Sequence, residues 1–170
     1  APEVVMTSYR LSGPFRRLVR RTAATRVMAC VYGRIQHPAD RCLDRMTGGR
    51  ATLTGALAGV PLVMLTTTGA RSGRPRVVPV LAVPDDAGIV VVASHFGRPR
   101  HPAWYHNLRA DPRAVATTDG VRRAVVAREL AGAEREQAFR RATEIHPGFE
   151  RYRRWAAPRT IPVLRLEEVG

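Results

Sequence analysis

The chain has 170 residues, 45% of them apolar, which excludes a disordered tail and gives one domain room for a core. All 28 basic residues are arginine, against 14 acidic ones, for a net charge of +14. Such a surface attracts anions, anionic lipid included, but a GC-rich genome also favours arginine over lysine, so charge alone does not make a nucleic-acid binder. Two cysteines, Cys30 and Cys42, are too few for a secreted disulfide scaffold and read as reduced thiols of a cytoplasmic protein. No apolar run reaches the roughly 18 residues that span a bilayer, and no signal peptide is evident.

Residues 1–13 read as a lead-in. From Pro14 to Ile35, the residues Phe15, Leu18, Val19, Val27, Val31, Tyr32 and Ile35 recur at helical spacing, with Arg16, Arg17, Arg20, Arg21 and Arg26 between them. This predicts a basic amphipathic helix that either packs on the core or lies on an anionic membrane surface. Residues 37–60 read as an irregular, glycine-bearing connection. Beyond them the period shortens. Pro61–Thr68, Val77–Val83, Ile89–Ser94, Ala114–Thr118 and Arg123–Leu130 are strand-like runs separated by turns such as "PDDAG" and "TDG". Helices are expected at "HPAWYHNLRAD" and Ala133–Ile145, and "IPVLRLEE" reads as a closing strand. The pattern is α+β, most simply a small antiparallel barrel.

Two stretches carry chemistry. In "TTTGARSGRPRVVPV", Thr66 to Val80, Gly69 and Gly73 shape a turn from which Arg71, Arg74 and Arg76 project. Exposed N–H groups and guanidinium forks suit an anion, although a solvated basic turn explains the same residues. The stretch is neither a P-loop nor a dinucleotide fingerprint. In "VVASHFGRPRHPAWYHNL", residues 91–108, a strand ends near Ser94 and a Gly/Pro loop leads to Trp104 and Tyr105. Ser94 and His95 would point to opposite faces of a strand, which argues against a nucleophile–base pair. His101 and His106 are five apart, poor spacing for two metal ligands on one helix, and no metal is expected.

Taken with "VVVASHFGRPRHPAWYHNLRADPRA" and "RTIPVLRLEE", the turn resembles the deazaflavin-dependent nitroreductase family of actinobacteria, from about residue 60 to 168. The resemblance implies a split β-barrel with an N-terminal amphipathic helix and two or three further helices. Residues 1–60 would be the helix and connection, and 61–170 the deazaflavin-binding part of one structural domain. The implied cofactor is coenzyme F-420, whose tail carries a phosphodiester and several glutamates; FMN is the less favoured flavin. Thr67, Thr68, Gly69, Arg71, Ser72, Gly73 and Arg76 correspond to the tail-binding turn. Pro79, Ala93, Ser94, His95, Gly97, Trp104 and Asn107 correspond to the ring-side pocket.

The chain also departs from the family. Ala70 stands where a basic residue is common, and His95 where a lysine is common. Leu81 replaces a tyrosine of nitroimidazole-reducing members, and of their late tyrosine trio His146, Phe149 and Tyr152 keep one. The implied reaction is hydride transfer from reduced F-420 to a quinone, enone or other electron-poor acceptor. Leu81, Tyr105, His146, Phe149 and Tyr152 would contact the acceptor, and Ser94, His95 or Tyr152 would supply a proton or steady negative charge. Nitro-prodrug reduction is not expected, and the natural acceptor and oligomeric state stay open. The competing readings are a non-catalytic member binding a deazaflavin, fatty acid or lipid, and a nucleic-acid binder. The latter lacks a helix-turn-helix or an RNA-binding aromatic signature. The expected location is cytoplasmic, with peripheral membrane contact through the basic helix.

Overall fold

In the computed structural model the described residues are 61–169. The helix expected at Pro14–Ile35, the 37–60 connection and both cysteines lie outside them. The strands are β1 (Leu62–Thr68), β2 (Pro75–Leu81), β3 (Val83–Asp85), β4 (Gly88–Val92), β5 (Arg113–Thr118), β6 (Val121–Glu129) and β7 (Val163–Glu168). The helices are α1 (Ala103–Ala110), α2 (Gly132–Ile145) and α3 (Gly148–Ala156), with one 3-10 turn at His95–Gly97.

The seven strands form one sheet in the order β2-β1-β5-β6-β7-β4-β3, and every neighbouring pair is antiparallel. The sheet curls so far that β2, at one edge, touches β4 near the other. This is a split barrel.

Strand side chains alternate between faces, so a strand covered on both sides reads as an unbroken apolar run. β4 does this. Ile89 and Val91 enter the barrel interior with Val63, Leu65, Ala116, Leu164 and the α1 residues Trp104 and Leu108. Val90 and Val92 face the outer layer, where α2 and α3 contribute Phe139, Ala142, Phe149 and Tyr152. Exposed β6 is covered less completely, with Val121 and Val126 open to solvent.

The expected strand Val77–Val83 is two strands, parted at Ala82, whose N–H bonds the Pro61 carbonyl at 2.9 Å. Its apolar run gave no sign of the break. The third helix, α3, is the one whose position no sequence signal marked.

Candidate functional site

The register Thr68↔Pro75 makes residues 69–74 the connection of a β1–β2 hairpin. Its backbone is tightly tied: Gly69 N–H to Arg74 O at 2.9 Å, Gly73 N–H to Gly69 O at 2.8 Å, and Ser72 N–H to Gly69 O at 3.1 Å. A Cβ on Gly69 would come within 2.7 Å of Ser72 Oγ and 3.1 Å of the Arg74 carbonyl, so a side chain there would make the Ser72 hydroxyl swing aside and the turn give slightly. Arg71, Arg74 and Arg76 are exposed. Arg76 reaches Ser72 Oγ at 3.4 Å, and none of the three forms an ion pair with a described carboxylate.

The turn is clamped from α1. Buried Asn107 donates from Nδ2 to Thr67 Oγ1 at 3.0 Å, and its Oδ1 accepts the Ala70 N–H at 3.0 Å. Both partners of the amide are thus satisfied, and the turn is fixed to the helix that carries Trp104. Thr67, Gly69, Asn107 and the turn that carries Arg71 and Arg76 therefore come together. Pro79 sits within β2 opposite Met64, and Trp104, 8% exposed, lies in the barrel core.

The second stretch departs from the sequence reading. β4 ends at Val92 and does not run on to Ser94. His95, Phe96 and Gly97 then take φ of 48°, 55° and 72°, three consecutive left-handed residues, so Ser94 and His95 are not successive strand positions. A Cβ on Gly97 would lie 2.8 Å from Trp155 Cβ and 3.0 Å from the Tyr152 carbonyl, which seats the loop against α3. His95 Nδ1 lies 2.8 Å from the Arg100 carbonyl. A carbonyl only accepts, so Nδ1 carries the hydrogen and Nε2 is the neutral ring's acceptor.

Around Tyr152 the structure assembles an aromatic wall. Its ring centroid is 5.8 Å from His146, 5.9 Å from Phe96, 6.1 Å from Phe149 and 5.8 Å from Trp155. Leu81 packs against the same cluster. Burial pushes the Tyr152 hydroxyl up to about 12, so it stays protonated near neutral pH. Leu81, His146, Phe149 and Tyr152 are thus neighbours. Tyr105 is not among them: its hydroxyl donates to Glu129 Oε2 at 3.0 Å and accepts from Arg109 Nη1 at 3.2 Å.

Sequence reasoning missed two members. Phe96 gave no signal, and Arg159 was read only as the first letter of "RTIPVLRLEE". The Arg159 guanidinium lies behind the 93–101 loop and donates to His101 Nδ1 at 3.1 Å. That nitrogen must then be the acceptor, and burial, followed by the Arg159 charge, lowers the His101 pKa below its ordinary value.

The F420H(2)-dependent quinone reductase family profile matches residues 39–168. A Mycobacterium tuberculosis relative bearing that family name is 32% identical over 107 residues, 63% of this chain and 89% of its own length. The solved structure of an F420-H2 dependent reductase (FDR-A) is 39% identical with a TM-score of 0.58, covering 63% of this chain and 94% of that one. A second, described as a domain-swapped dimer, is 35% identical with a TM-score of 0.60, covering 75% and 95%. This chain therefore belongs to the F420H(2)-dependent quinone reductase family: it is a split-barrel oxidoreductase that takes reduced coenzyme F420 as its reductant.

Proposed function

We propose that the β1–β2 turn holds the anionic tail of F420 and that the wall around Tyr152 receives the quinone. The observation that carries this is the Asn107 clamp on a turn whose three exposed arginines have no described carboxylate partner. The residues suit the group. Guanidinium forks match phosphate and carboxylate oxygens, and a turn held at Thr67 and Ala70 spends little ordering on binding. When bound, the reduced coenzyme supplies a hydride to the acceptor.

The protein's part is orientation and proton supply. Arg71 and Arg76 grip the tail; Asn107 fixes the turn that carries them. Phe96 and His146, half-buried at the edge of the cluster, give a flat acceptor an apolar face, and Phe149 and Tyr152, 4% and 2% exposed, back them. Tyr152, protonated at neutral pH, donates a hydrogen bond to the acceptor's developing negative charge and is a poor base. His95, with Nδ1–H spent on Arg100, brings Nε2 to any proton it handles. Ser94, at the strand end, is the alternative donor.

Fluorescence titration with F420, with FMN in parallel, tests the cofactor, and oxidation of reduced F420 by menadione tests the acceptor. Tight F420 binding with turnover is expected. Binding of FMN alone would overturn the cofactor assignment, and F420 binding without turnover on a quinone and enone panel would favour a non-catalytic carrier. Among the described residues no helix is long and apolar enough to cross a membrane. A cytoplasmic location, peripheral contact through the Pro14–Ile35 helix, and residues 1–60 as an appendage of one domain complete the proposal. Co-sedimentation with anionic vesicles, compared with a chain lacking residues 1–35, tests that contact.

A further inference from the structure

We infer that Arg159 is a positioning residue for the reaction, holding the loop Ala93–His101 in the shape that builds the acceptor side of the site. This rests on the proposed reading of that side. The loop needs a brace. His95 and Phe96 carry side chains yet take left-handed φ values of 48° and 55°, a conformation L-residues avoid unless their surroundings impose it. The loop has bonds of its own, Ser94 N–H to Val92 O at 2.9 Å, Gly97 N–H to Ser94 O at 3.0 Å, Arg98 N–H to His95 O at 3.1 Å and His95 Nδ1–H to the Arg100 carbonyl at 2.8 Å, and Ala93 N–H ties its start to Pro162 O at 2.9 Å.

Arg159 supplies the rest from outside. Its Nε and Nη2 donate to the Arg98 carbonyl at 3.1 and 2.9 Å, Nη2 donates to the Ser94 carbonyl at 2.8 Å, and Nη1 donates to the Ala93 carbonyl at 3.3 Å. With His101 Nδ1 at 3.1 Å, the guanidinium joins both ends of the loop. The guanidinium spreads its donors over a rigid fork and so bridges carbonyls at both ends of the loop, whereas an ammonium offers its three donors from one point. What the brace holds is Phe96 against Tyr152, at 5.9 Å, and Gly97 beneath Tyr152 and Trp155. Among the described residues the side-chain hydrogen bonds of Arg159 all go to the loop, so it acts through the loop.

The test compares wild type, Arg159→Ala and Arg159→Lys by three measurements: hydrogen exchange without cofactor, F420 affinity by fluorescence, and quinone turnover. In Arg159→Ala the Gly97 and Arg98 amides should exchange at least about tenfold faster, while the Gly69, Ser72 and Gly73 amides keep their rates. Turnover should fall on the order of tenfold to a hundredfold, because the wall is misplaced. F420 affinity should fall by no more than about tenfold, since the loop carries the expected ring-side residues Ala93, Ser94, His95 and Gly97 while the tail turn is anchored separately by Asn107. Arg159→Lys should recover part of both the exchange protection and the turnover. Wild-type exchange and turnover in both variants would overturn the inference. So would faster exchange spread through β1, β5 and β6, which would make Arg159 a general stability element. A wild type that binds F420 but turns over no acceptor would sink the functional reading, and the exchange comparison would still decide Arg159.

Discussion

Two regions use the same residue in opposite ways. At the β1–β2 turn, Arg71, Arg74 and Arg76 stand exposed with no described carboxylate beside them. On the outer face of β3, β6, β7 and α2, the arginines are neutralised. Asp85, with a side chain 8% exposed, accepts from Arg141 at 2.8 Å and also from Arg165. Glu134 joins Arg165 to Arg128, and Arg128 goes on to Glu167 at 2.9 Å. That network ties α2 to three strands. A chain of net charge +14 therefore does not spread its arginines evenly over function. Around Asp85 and Glu134, where carboxylates are close, arginine is structural; at the β1–β2 turn, where no described carboxylate is, the positive potential is left for a ligand.

The comparison is broken most sharply at Arg76. Arg76→Ala should cost F420 about 1.5 kcal/mol, roughly tenfold in affinity, and Arg76→Glu on the order of a hundredfold, because repulsion from the tail replaces attraction. Stability should hardly change, since the side chain is exposed and, among the described residues, hydrogen-bonds Ser72 across the turn at 3.4 Å. Fluorescence titration and thermal melts on both variants check this, and unchanged affinity in Arg76→Glu would remove the turn from the site.

Asp85→Ala is the mirror experiment. Removing the carboxylate leaves Arg165, 14% exposed, with Glu134 as its remaining partner, whereas Arg141, 41% exposed, returns to water. A loss of about 2 kcal/mol is expected, discounted for that exposure. It should appear as a drop in Tm of roughly 4–8 °C with F420 affinity unchanged. A variant that keeps its Tm but loses cofactor would place the network in the site and erase the contrast.

How legible these regions were depends on whether their signal is local. The hairpin turn was readable because glycine admits the left-handed φ of 63° that Gly73 takes and Pro75 fixes its own φ, both local signals of a turn. The α1 helix was readable because Trp104, Tyr105, Asn107 and Leu108 mark one buried face. The break at Ala82 was not, because a strand that changes partners keeps its apolar run. The left-handed turn at His95–Phe96 was not, because neither residue prefers it; tertiary bonds from a side chain more than sixty positions away impose it. Tyr105 and Tyr152 looked alike as acceptor contacts, and only the tertiary fold puts one beside Glu129 and Arg109 and the other against Phe96, Phe149 and Trp155. The Asn107 clamp was half readable: residue and turn were both marked, but not that the amide serves both Thr67 and Ala70.

Tyr152→Phe sharpens the acceptor side of the site. It removes one hydroxyl and keeps the ring contacts with Phe96, Phe149 and Trp155. If that hydroxyl donates to the acceptor, turnover should fall about tenfold with F420 affinity unchanged. Because the group titrates at about 12, the wild-type rate should show no ionisation of this hydroxyl between pH 6 and 9. Equal turnover in the phenylalanine variant would leave proton supply to His95 or Ser94.

The smallest effect concerns the paired region in acid. The Glu134 carboxyl is held down to about 2 from an ordinary 4.5, first by its hydrogen bonds with Arg128 and then by those with Arg165. Below pH 4.5 the unfolded chain binds this proton and the folded chain does not, so folding weakens as pH falls. The contribution is complete above about 4.5 and lost as pH drops through about 2. Wild type should therefore melt slightly above Glu134→Gln at pH 7, with the gap closing as melts are repeated down to pH 2. Added salt should narrow the gap at pH 7 as well, because Glu134 and Arg128 are both partly exposed to solvent. A gap that survives both acid and salt would mean that Glu134 acts through packing, and the outer network would then owe its order to shape rather than to paired charge.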